Sequence, residues 1–177
     1  MQPLFLFGDY MLKPNFIFKC ITDISSEFLH NNNIKGLLLD VDNTMSVAHG
    51  NKTLRSGLAE WLSDMKENGI ELIVLSNAKT VRARRFGDSV RLSVVGLAAK
   101  PLPFGYLKAV KALKLKRREV AIVGDQIFTD ILGGRCVGVK TILLTPIKLE
   151  DGWSFKVRRY LEKGVYKLHK IKDFEEN

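Results

Sequence analysis

Three aspartates stand where the sequence predicts the ends of strands. Asp40 and Asp42 lie two positions apart at the end of one apolar run, and Asp125 follows another. Side chains two apart in an extended segment point to the same side, so both carboxylates can face one site. Carboxylates held close together repel each other unless a cation or a proton lies between them. Three hard oxygen donors therefore indicate a Mg²⁺ site rather than a Zn²⁺ site.

A hydroxyl and an ammonium group follow two further apolar runs. Ser76 and Asn77 come after the run ELIVL and before a basic helical segment, which indicates an anion cradle of the hydroxyl and the next backbone N–H groups. Lys100 precedes Pro101, so its backbone is biased to an extended conformation. An ammonium group there would neutralise charge on a nucleophile and on an incoming phosphoryl group.

Taken singly, these residues also fit simpler roles. One Asp is more often a turn or helix-capping residue, and one Lys or Arg more often lies on a solvated helix face. Carboxylates, a hydroxyl and a cation that all follow apolar runs form a constellation, which favours phosphoryl transfer. A carboxylate nucleophile would split ester hydrolysis into formation and breakdown of an aspartyl-phosphate.

The elements that would bring these side chains together alternate from residue 34 onward. Continuous apolar runs, typical of buried strands, alternate with segments whose apolar residues recur at helical spacing. The pattern predicts an α/β fold, a Rossmann-like doubly wound parallel sheet with helices on both faces. Ligands of such sheets bind at the carboxyl ends of the strands. The predicted strands are 34–41, 71–75, 92–97, 120–123 and 139–144, and the predicted helices 54–68, 79–89, 103–113 and 129–138.

The length and composition predict a single domain. A chain of 177 residues with 46% hydrophobic residues can bury a core, which excludes general disorder. No run approaches the roughly 18 apolar residues of a membrane-spanning helix. We divide the domain into an N-terminal lead (1–33), a catalytic core (34–150) and a basic amphipathic tail (151–177).

The cysteines and the N-terminus predict a cytoplasmic protein. Cys20 and Cys136 belong to no metal-ligand cluster, and we expect each to be a buried free thiol, as in a reducing compartment. The first apolar run is too short for a signal peptide and lacks a basic segment before it. The natural start is left open between Met1 and Met11.

Positive charge is concentrated in one part of the chain. The net charge is +9, from 28 basic and 19 acidic residues, and residues 78–118 hold 12 basic residues and one acidic residue. This segment follows the predicted anion cradle, so part of its surface should flank the catalytic edge. The field would attract an anionic lipid surface or another polyanion. Three arginines are expected to ring the edge: Arg82, Arg84 and Arg85.

Four segments resemble the motifs of haloacid dehalogenase-like (HAD) phosphatases. They are DVDNT (40–44), SNA (76–78), the lysine of AAKPLP, and GDQIFTD (124–130), and the resemblance covers residues 34–145. It implies that Asp40 is the nucleophile and Asp42 the general acid and base. It also implies that Thr44 orients the acid/base, that Ser76 and the Asn77 backbone hold the phosphoryl group, and that Lys100 stabilises it. We add Arg82 to the substrate-binding set.

The same resemblance implies a Mg²⁺ site. Its ligands would be Asp40, the backbone carbonyl of Asp42, and Asp125. Asp130 would act behind these ligands or through water, and we include it in the candidate metal set.

Two features indicate which class of HAD protein the chain resembles. An acid at the position of Asp42 marks phosphatases and phosphomutases rather than ion pumps or dehalogenases. The stretches between the motifs have room for single elements but not for a cap domain, which leaves an open site. The chain resembles the small IIIA-type branch of YqeG-like and phosphatidylglycerophosphatase-like proteins, above all in the stretch 124–138, and it has Met45 where Leu is usual.

The two ends of the chain have amphipathic patterns. On a helical wheel, residues 153–171 place Trp, Tyr and aliphatic residues on one side and Lys and Arg mostly on the other. Such a helix can lie in an anionic membrane surface or pack on the sheet. The lead residues 3–18, rich in Phe and Leu, have the same two interpretations.

These observations predict a Mg²⁺-dependent phosphomonoesterase that works through an aspartyl-phosphate. The expected substrate is an anionic lipid phosphate such as phosphatidylglycerophosphate, with peripheral contact at the inner face of a membrane. One alternative is a phosphatase for nucleotides, nucleic-acid ends or sugar phosphates. Another is a non-catalytic RNA or ribonucleoprotein assembly factor, although no aromatic-interleaved RNA-binding motif supports it. The sequence gives no oligomeric state.

Overall fold

Short aliphatic runs form one parallel sheet. The computed structural model describes residues 10–46 and 54–145, together with Gly164. The strands run in the order β1-β6-β5-β2-β3-β4, and every pairing is parallel. The predicted Rossmann-like parallel sheet is therefore confirmed. The strands are β1 (Phe16–Phe18), β2 (Gly36–Leu39), β3 (Glu71–Leu75), β4 (Ser93–Val95), β5 (Val120–Gly124) and β6 (Lys140–Leu144).

Alternate residues of the central strand separate two cores. Leu37 and Leu39 pack with Trp61 on one face of the sheet, whereas Leu38 packs with Tyr106 and Ala109 on the other. Because β2 is buried on both faces, every residue of it is apolar or Gly. The helices are α1 (Ser26–Asn31), α2 (Leu58–Glu67), α3 (Thr80–Val90), α4 (Pro103–Leu113) and α5 (Leu132–Val137).

Several predicted boundaries differ from the structure, among them the strand predicted at 34–41, which is Gly36–Leu39. Helix α2 begins at Leu58 rather than at residue 54, because Gly57 has a left-handed φ of +72° and Leu54 bridges to Ser46. The predicted helix 129–138 divides into a π-helical turn, Ile127–Ile131, and α5. The third predicted strand shortens to Ser93–Val95.

Part of the N-terminal lead joins the sheet. Strand β1 pairs with β6, and Phe16 and Phe18 both stack edge-on against Phe28. Residues 16–18 thus cover the core, which is one of the two interpretations of the lead. Residues 1–9 and the amphipathic pattern at 153–171, apart from the single position Gly164, lie outside the described residues.

No cap domain is evident in the described residues. Between the first two motifs they contain α2 and β3, and between the second and third they contain α3 and β4. In 10–46 and 54–145 no helix has the length and apolar character to span a membrane. Cys20 and Cys136 are free thiols, but the prediction that both are buried is wrong, since Cys20 is half-buried and Cys136 exposed.

Candidate active site

The carboxyl ends of neighbouring strands place the candidate residues at one edge. Asp40 follows β2, and its backbone N–H donates to the carbonyl of Val123 on β5 at 3.0 Å. Asp125 follows β5 directly, and Ser76 follows β3. These three side chains are buried, although each is polar or charged. The parallel register therefore positions the predicted cluster, because β2 lies between β5 and β3.

A buried lysine contacts two aspartates. The Lys100 Nζ lies 2.5 Å from Asp40 Oδ1 and 2.7 Å from Asp130 Oδ1. Both carboxylates are shielded from water, as is the ammonium group. The sequence predicted the proximity of Lys100 to the nucleophile position, but Asp130 enters the same ion-pair network rather than standing behind it.

Burial dominates the electrostatics of this network. It raises the pKa of Asp40 to about 7, against the opposing attraction of Lys100 and with help from the charge of Asp130. Burial alone would lower the pKa of Lys100, but its two carboxylate partners outweigh that effect and raise it. Lys100 therefore stays protonated, whereas Asp40 loses its proton less readily than an exposed carboxyl.

Three carboxylates of the described residues suit a hard cation. Asp40, Asp125 and Asp130 are all buried and each offers an oxygen within 4.8 Å of the others. Three ionised carboxylates around one ammonium group would leave an excess of negative charge in a buried site. A divalent cation bound by oxygen donors removes that excess, so the residues present fit Mg²⁺.

The second motif supplies a hydroxyl and a clamp. Ser76 Oγ accepts from the backbone N–H of Ala78 at 3.1 Å. The side chain of Asn77 accepts from the Lys100 backbone N–H at 2.7 Å and donates to the Lys100 carbonyl at 3.2 Å. Sequence reasoning assigned only the Asn77 backbone a role. The amide clamp joins two loops 23 residues apart, and no local pattern in the sequence signals it.

The second aspartate of the first motif has a cationic partner. One guanidinium nitrogen of Arg82 on α3 lies 2.7 Å and 2.9 Å from the two carboxylate oxygens of Asp42. The sequence predicted that Arg82 binds the substrate, but in this structure Arg82 pairs with Asp42. Thr44 is fully buried, and its hydroxyl makes no hydrogen bond among the described residues, so the predicted contact to the acid/base is absent there.

A groove of about 650 Å³ runs from Asp42 and Ser76 along α3. Its walls are mainly apolar, with Val41, Leu54 and Phe86 among them, and Lys79 and Arg85 also line it. Arg84 lines a different depression beside β4, so the expected ring of three arginines is wrong. Helical periodicity explains this, since residues 82 and 85 share a face of α3 that residue 84 does not.

A glycine makes room for Asp130. The Gln126 backbone N–H donates to Asp130 Oδ2 at 3.2 Å, in the π-helical turn after β5. A Cβ on Gly124 would lie 2.3 Å from that oxygen and 2.8 Å from the Asp130 Cβ. Gly124 of the GDQ segment was therefore a signal in the sequence for the close approach of the Asp130 side chain, which the sequence analysis did not identify.

We predict that Gly124→Ala displaces Asp130 from Lys100. Overpacking of this kind costs about 1–3 kcal/mol of unfolding free energy, and the misplaced carboxylate should lower kcat for a soluble phosphate ester. Thermal unfolding and steady-state kinetics measure the two effects. Gly138→Ala is the control, because its Cβ meets nothing within 4 Å and its φ of +76° adds only backbone strain. Equal kinetic losses in both variants would contradict the prediction.

Comparison with known proteins identifies the family and agrees with the fold. A sequence model described as haloacid dehalogenase-like hydrolase matches residues 30–138. The chain is 33% identical over 159 residues to "Probable phosphatase YqeG" of Bacillus subtilis, covering 90% of this chain and 92% of that protein. It is 39% identical over 57 residues to the glyceraldehyde 3-phosphate phosphatase of Pyrococcus furiosus, covering 32% of this chain and 24% of that protein.

The fold also matches a solved structure. The cobalt-bound deoxy-D-mannose-octulosonate 8-phosphate phosphatase of Haemophilus influenzae superposes with a TM-score of 0.54 at 12% identity, covering 78% of this chain and 91% of that one. That similarity supports the fold alone, whereas the family match and the relative aligned over most of both chains carry the assignment. The chain therefore belongs to the haloacid dehalogenase-like hydrolases and is a phosphatase of that family, as its four motifs indicate.

Proposed function

We propose that this phosphatase is a Mg²⁺-dependent phosphomonoesterase that forms an aspartyl-phosphate on Asp40. The observation that carries the proposal is the surroundings of the Asp40 carboxylate. It contacts the ammonium group of Lys100 and lies within 4.8 Å of the carboxylate oxygens of Asp125 and Asp130. A nucleophile that must approach a phosphate anion needs positive charge beside it, and this arrangement supplies it.

The chain's own residues would perform two transfers. In the first, an Asp40 oxygen bonds to phosphorus while the ester P–O bond breaks, and Asp42 gives a proton to the departing oxygen. In the second, Asp42 takes a proton from water, whose oxygen bonds to phosphorus and releases Asp40 and inorganic phosphate. Ser76 and the backbone that follows it would hold the phosphoryl oxygens. Lys100 offsets their charge throughout.

Mg²⁺ would be held by Asp40, Asp125 and Asp130, with the backbone carbonyl of Asp42. When bound, the ion neutralises charge on the phosphoryl oxygens and favours the ionised form of the nucleophile. The raised pKa of Asp40 makes this second effect relevant, because burial and the neighbouring carboxylates shift that pKa to about 7 in spite of Lys100.

The proposed substrate is an anionic lipid phosphate such as phosphatidylglycerophosphate. The groove beside Asp42 supports it, because apolar walls suit an acyl segment and Lys79 and Arg85 suit a second anionic group. The open site also supports it, since no cap is evident in the described residues to exclude a bulky leaving group. We place the enzyme in the cytoplasm, in peripheral contact with the inner face of the membrane.

A phosphate-release screen tests this function. We expect the protein with Mg²⁺ to hydrolyse phosphatidylglycerophosphate in mixed micelles with a kcat/KM at least about tenfold above those of nucleotides and sugar phosphates. EDTA should abolish release from every substrate, and Mg²⁺ should restore it. Higher kcat/KM for a nucleotide or sugar phosphate would favour the soluble-ester alternative. Salt-sensitive RNA binding without hydrolysis of any ester would favour the assembly-factor alternative.

A further inference from the structure

Exposed apolar side chains gather beside the catalytic edge. Seven large apolar side chains are exposed among the described residues, and five of them lie between positions 81 and 107. Four of the five form what we call the apolar rim: Val81, Leu97, Leu102 and Phe104, which are 54–74% exposed. Clustered exposure of this kind marks interaction surfaces, whereas scattered single residues do not.

The apolar rim surrounds the loop that carries Lys100. On one side of this loop, the Leu97 backbone N–H donates to the Ala78 carbonyl at 3.0 Å, which ties it to the second motif. On the other side, the start of α4 packs directly on Ala98, where a Cβ on Gly105 would lie 2.4 Å from the Ala98 carbonyl oxygen. The segment 97–104 therefore carries three of the four side chains, and the backbone hydrogen bond to Ala78 ties it to the start of α3, where Val81 lies.

The backbone beneath the apolar rim is strained. Leu97 has a φ of +49° and Ala99 a φ of +51°, in the left-handed region that residues other than Gly, Asn and Asp rarely adopt. The strain at Leu97 supports no buried packing, since that side chain is 62% exposed. Strain kept at an exposed apolar residue next to a catalytic lysine points to a function outside the core.

Positive charge flanks the apolar rim. The exposed Lys79 lies two positions before Val81, and the exposed face of α4 continues from Phe104 to Lys108 and Lys111. Between residues 89 and 118 the chain contains no acidic residue at all. Apolar side chains bordered by cations match the two layers of an anionic bilayer surface, where headgroup phosphates lie above the acyl chains.

We propose that the apolar rim docks the catalytic edge onto an anionic membrane surface, with Leu97, Leu102 and Phe104 in the acyl boundary. Lys79, Lys108 and Lys111 contact headgroup phosphates. This inference rests on the proposed function, because a lipid substrate requires the site to face the bilayer. It differs from docking through the chain ends, because it assigns the contact to the loop of the third motif.

Vesicle binding tests the docking surface without turnover. The full chain is sedimented with vesicles of phosphatidylcholine and phosphatidylglycerol, which contain no phosphomonoester, and with phosphatidylcholine alone. We expect binding only to the anionic vesicles, and weaker binding when NaCl rises from about 0.1 M to about 0.5 M. The double variant Leu102→Ser/Phe104→Ser should bind at least about tenfold more weakly, since burial of one such side chain corresponds to about that factor.

Two controls separate docking from misfolding. Tyr10→Ser removes an aromatic side chain that is 64% exposed beside Arg135, in the segment that leads into β1 at the sheet edge opposite β4, and should bind vesicles like the wild type. Both proteins should hydrolyse a soluble ester at the wild-type rate. Unchanged vesicle binding by the double variant would overturn the proposal. If the wild type proved dimeric in solution and the double variant monomeric, with vesicle binding unaltered, the apolar rim would be assigned to self-association instead.

The same variant distinguishes this inference from the lipid-substrate proposal. If the double variant loses vesicle binding and the wild type fails to hydrolyse phosphatidylglycerophosphate, the docking surface stands and the substrate is wrong. If the wild type hydrolyses that lipid and the double variant is equally active on it in vesicles, the substrate stands and the docking surface is wrong.

Discussion

Replacing Asp40 by Asn should lower phosphate release by about 10³-fold or more for every ester that the enzyme accepts. The amide keeps the size of the side chain but removes the oxygen nucleophile on which the aspartyl-phosphate would form. Stopped assays with Mg²⁺ and a soluble ester measure the rate. Acid-quenched protein should carry covalent phosphate in the wild type and none in the variant.

The variant should fold, which makes the kinetic result interpretable. Burial raises the pKa of Asp40 to about 7, so the folded protein favours the ionised form of this carboxyl less than the unfolded chain does, which offsets the loss of its contact with Lys100. Lys100 keeps Asp130 as a partner at 2.7 Å, so no buried charge is left alone. In EDTA we expect a Tm no lower than that of the wild type.

Asp88→Asn is the matched control, because it removes a carboxylate from the exposed surface of α3. Its rate should equal that of the wild type. Wild-type activity in the Asp40→Asn protein would exclude Asp40 as the nucleophile and with it the aspartyl-phosphate.

The central sheet was predictable because its strands are buried on both faces. Their apolar runs are continuous and end in polar residues, and β3 matches its predicted bounds of 71–75. Parallel strands align their carboxyl ends, so the gathering of Asp40, Ser76 and Asp125 followed from order alone. Strand β1 was not predicted, since three residues at a sheet edge are too few to show a period.

Contacts between distant loops could not be predicted from the sequence. The clamp between Asn77 and Lys100 depends on how two loops meet in space, and neither residue type requires it. The pairing of Arg82 with Asp42 is similar, because charge counts show an excess of arginine but not which carboxylate each one contacts. By contrast, helical periodicity predicts that Arg84 lies on a different side of α3 from Arg82 and Arg85. The expectation that all three arginines ring the site did not take that periodicity into account.

Removing the buried cation should have the largest effect on stability. Lys100→Met keeps a long apolar stem but leaves Asp40 and Asp130 without the ammonium group that both contact at 2.5–2.7 Å. Breaking a buried ion pair in this way costs about 3–5 kcal/mol, which corresponds to a Tm lower by about 10 °C for a chain of this size. The rate should fall by about 10²–10³-fold, since positive charge beside the phosphoryl group is lost.

Mg²⁺ should offset part of the lost stability. Asp40, Asp125 and Asp130 would then hold excess negative charge with no lysine to balance it, so binding of the ion relieves more repulsion in the variant than in the wild type. Thermal unfolding in EDTA and in Mg²⁺ should therefore show a larger upward shift of Tm for Lys100→Met.

An exposed lysine gives the comparison. Lys111→Met removes the same charge from the surface of α4 and should leave Tm within about 1 °C and the rate on a soluble ester unchanged. A Lys100→Met protein as stable in EDTA as the wild type would mean that the two carboxylates do not depend on the lysine. If Mg²⁺ raised the Tm of Lys100→Met and of the wild type equally, the stabilisation by the metal would not depend on the charge of Lys100. A larger rise of Tm in Lys100→Met would mean that the metal, the nucleophile and the lysine all contribute to one balance of charge in this site.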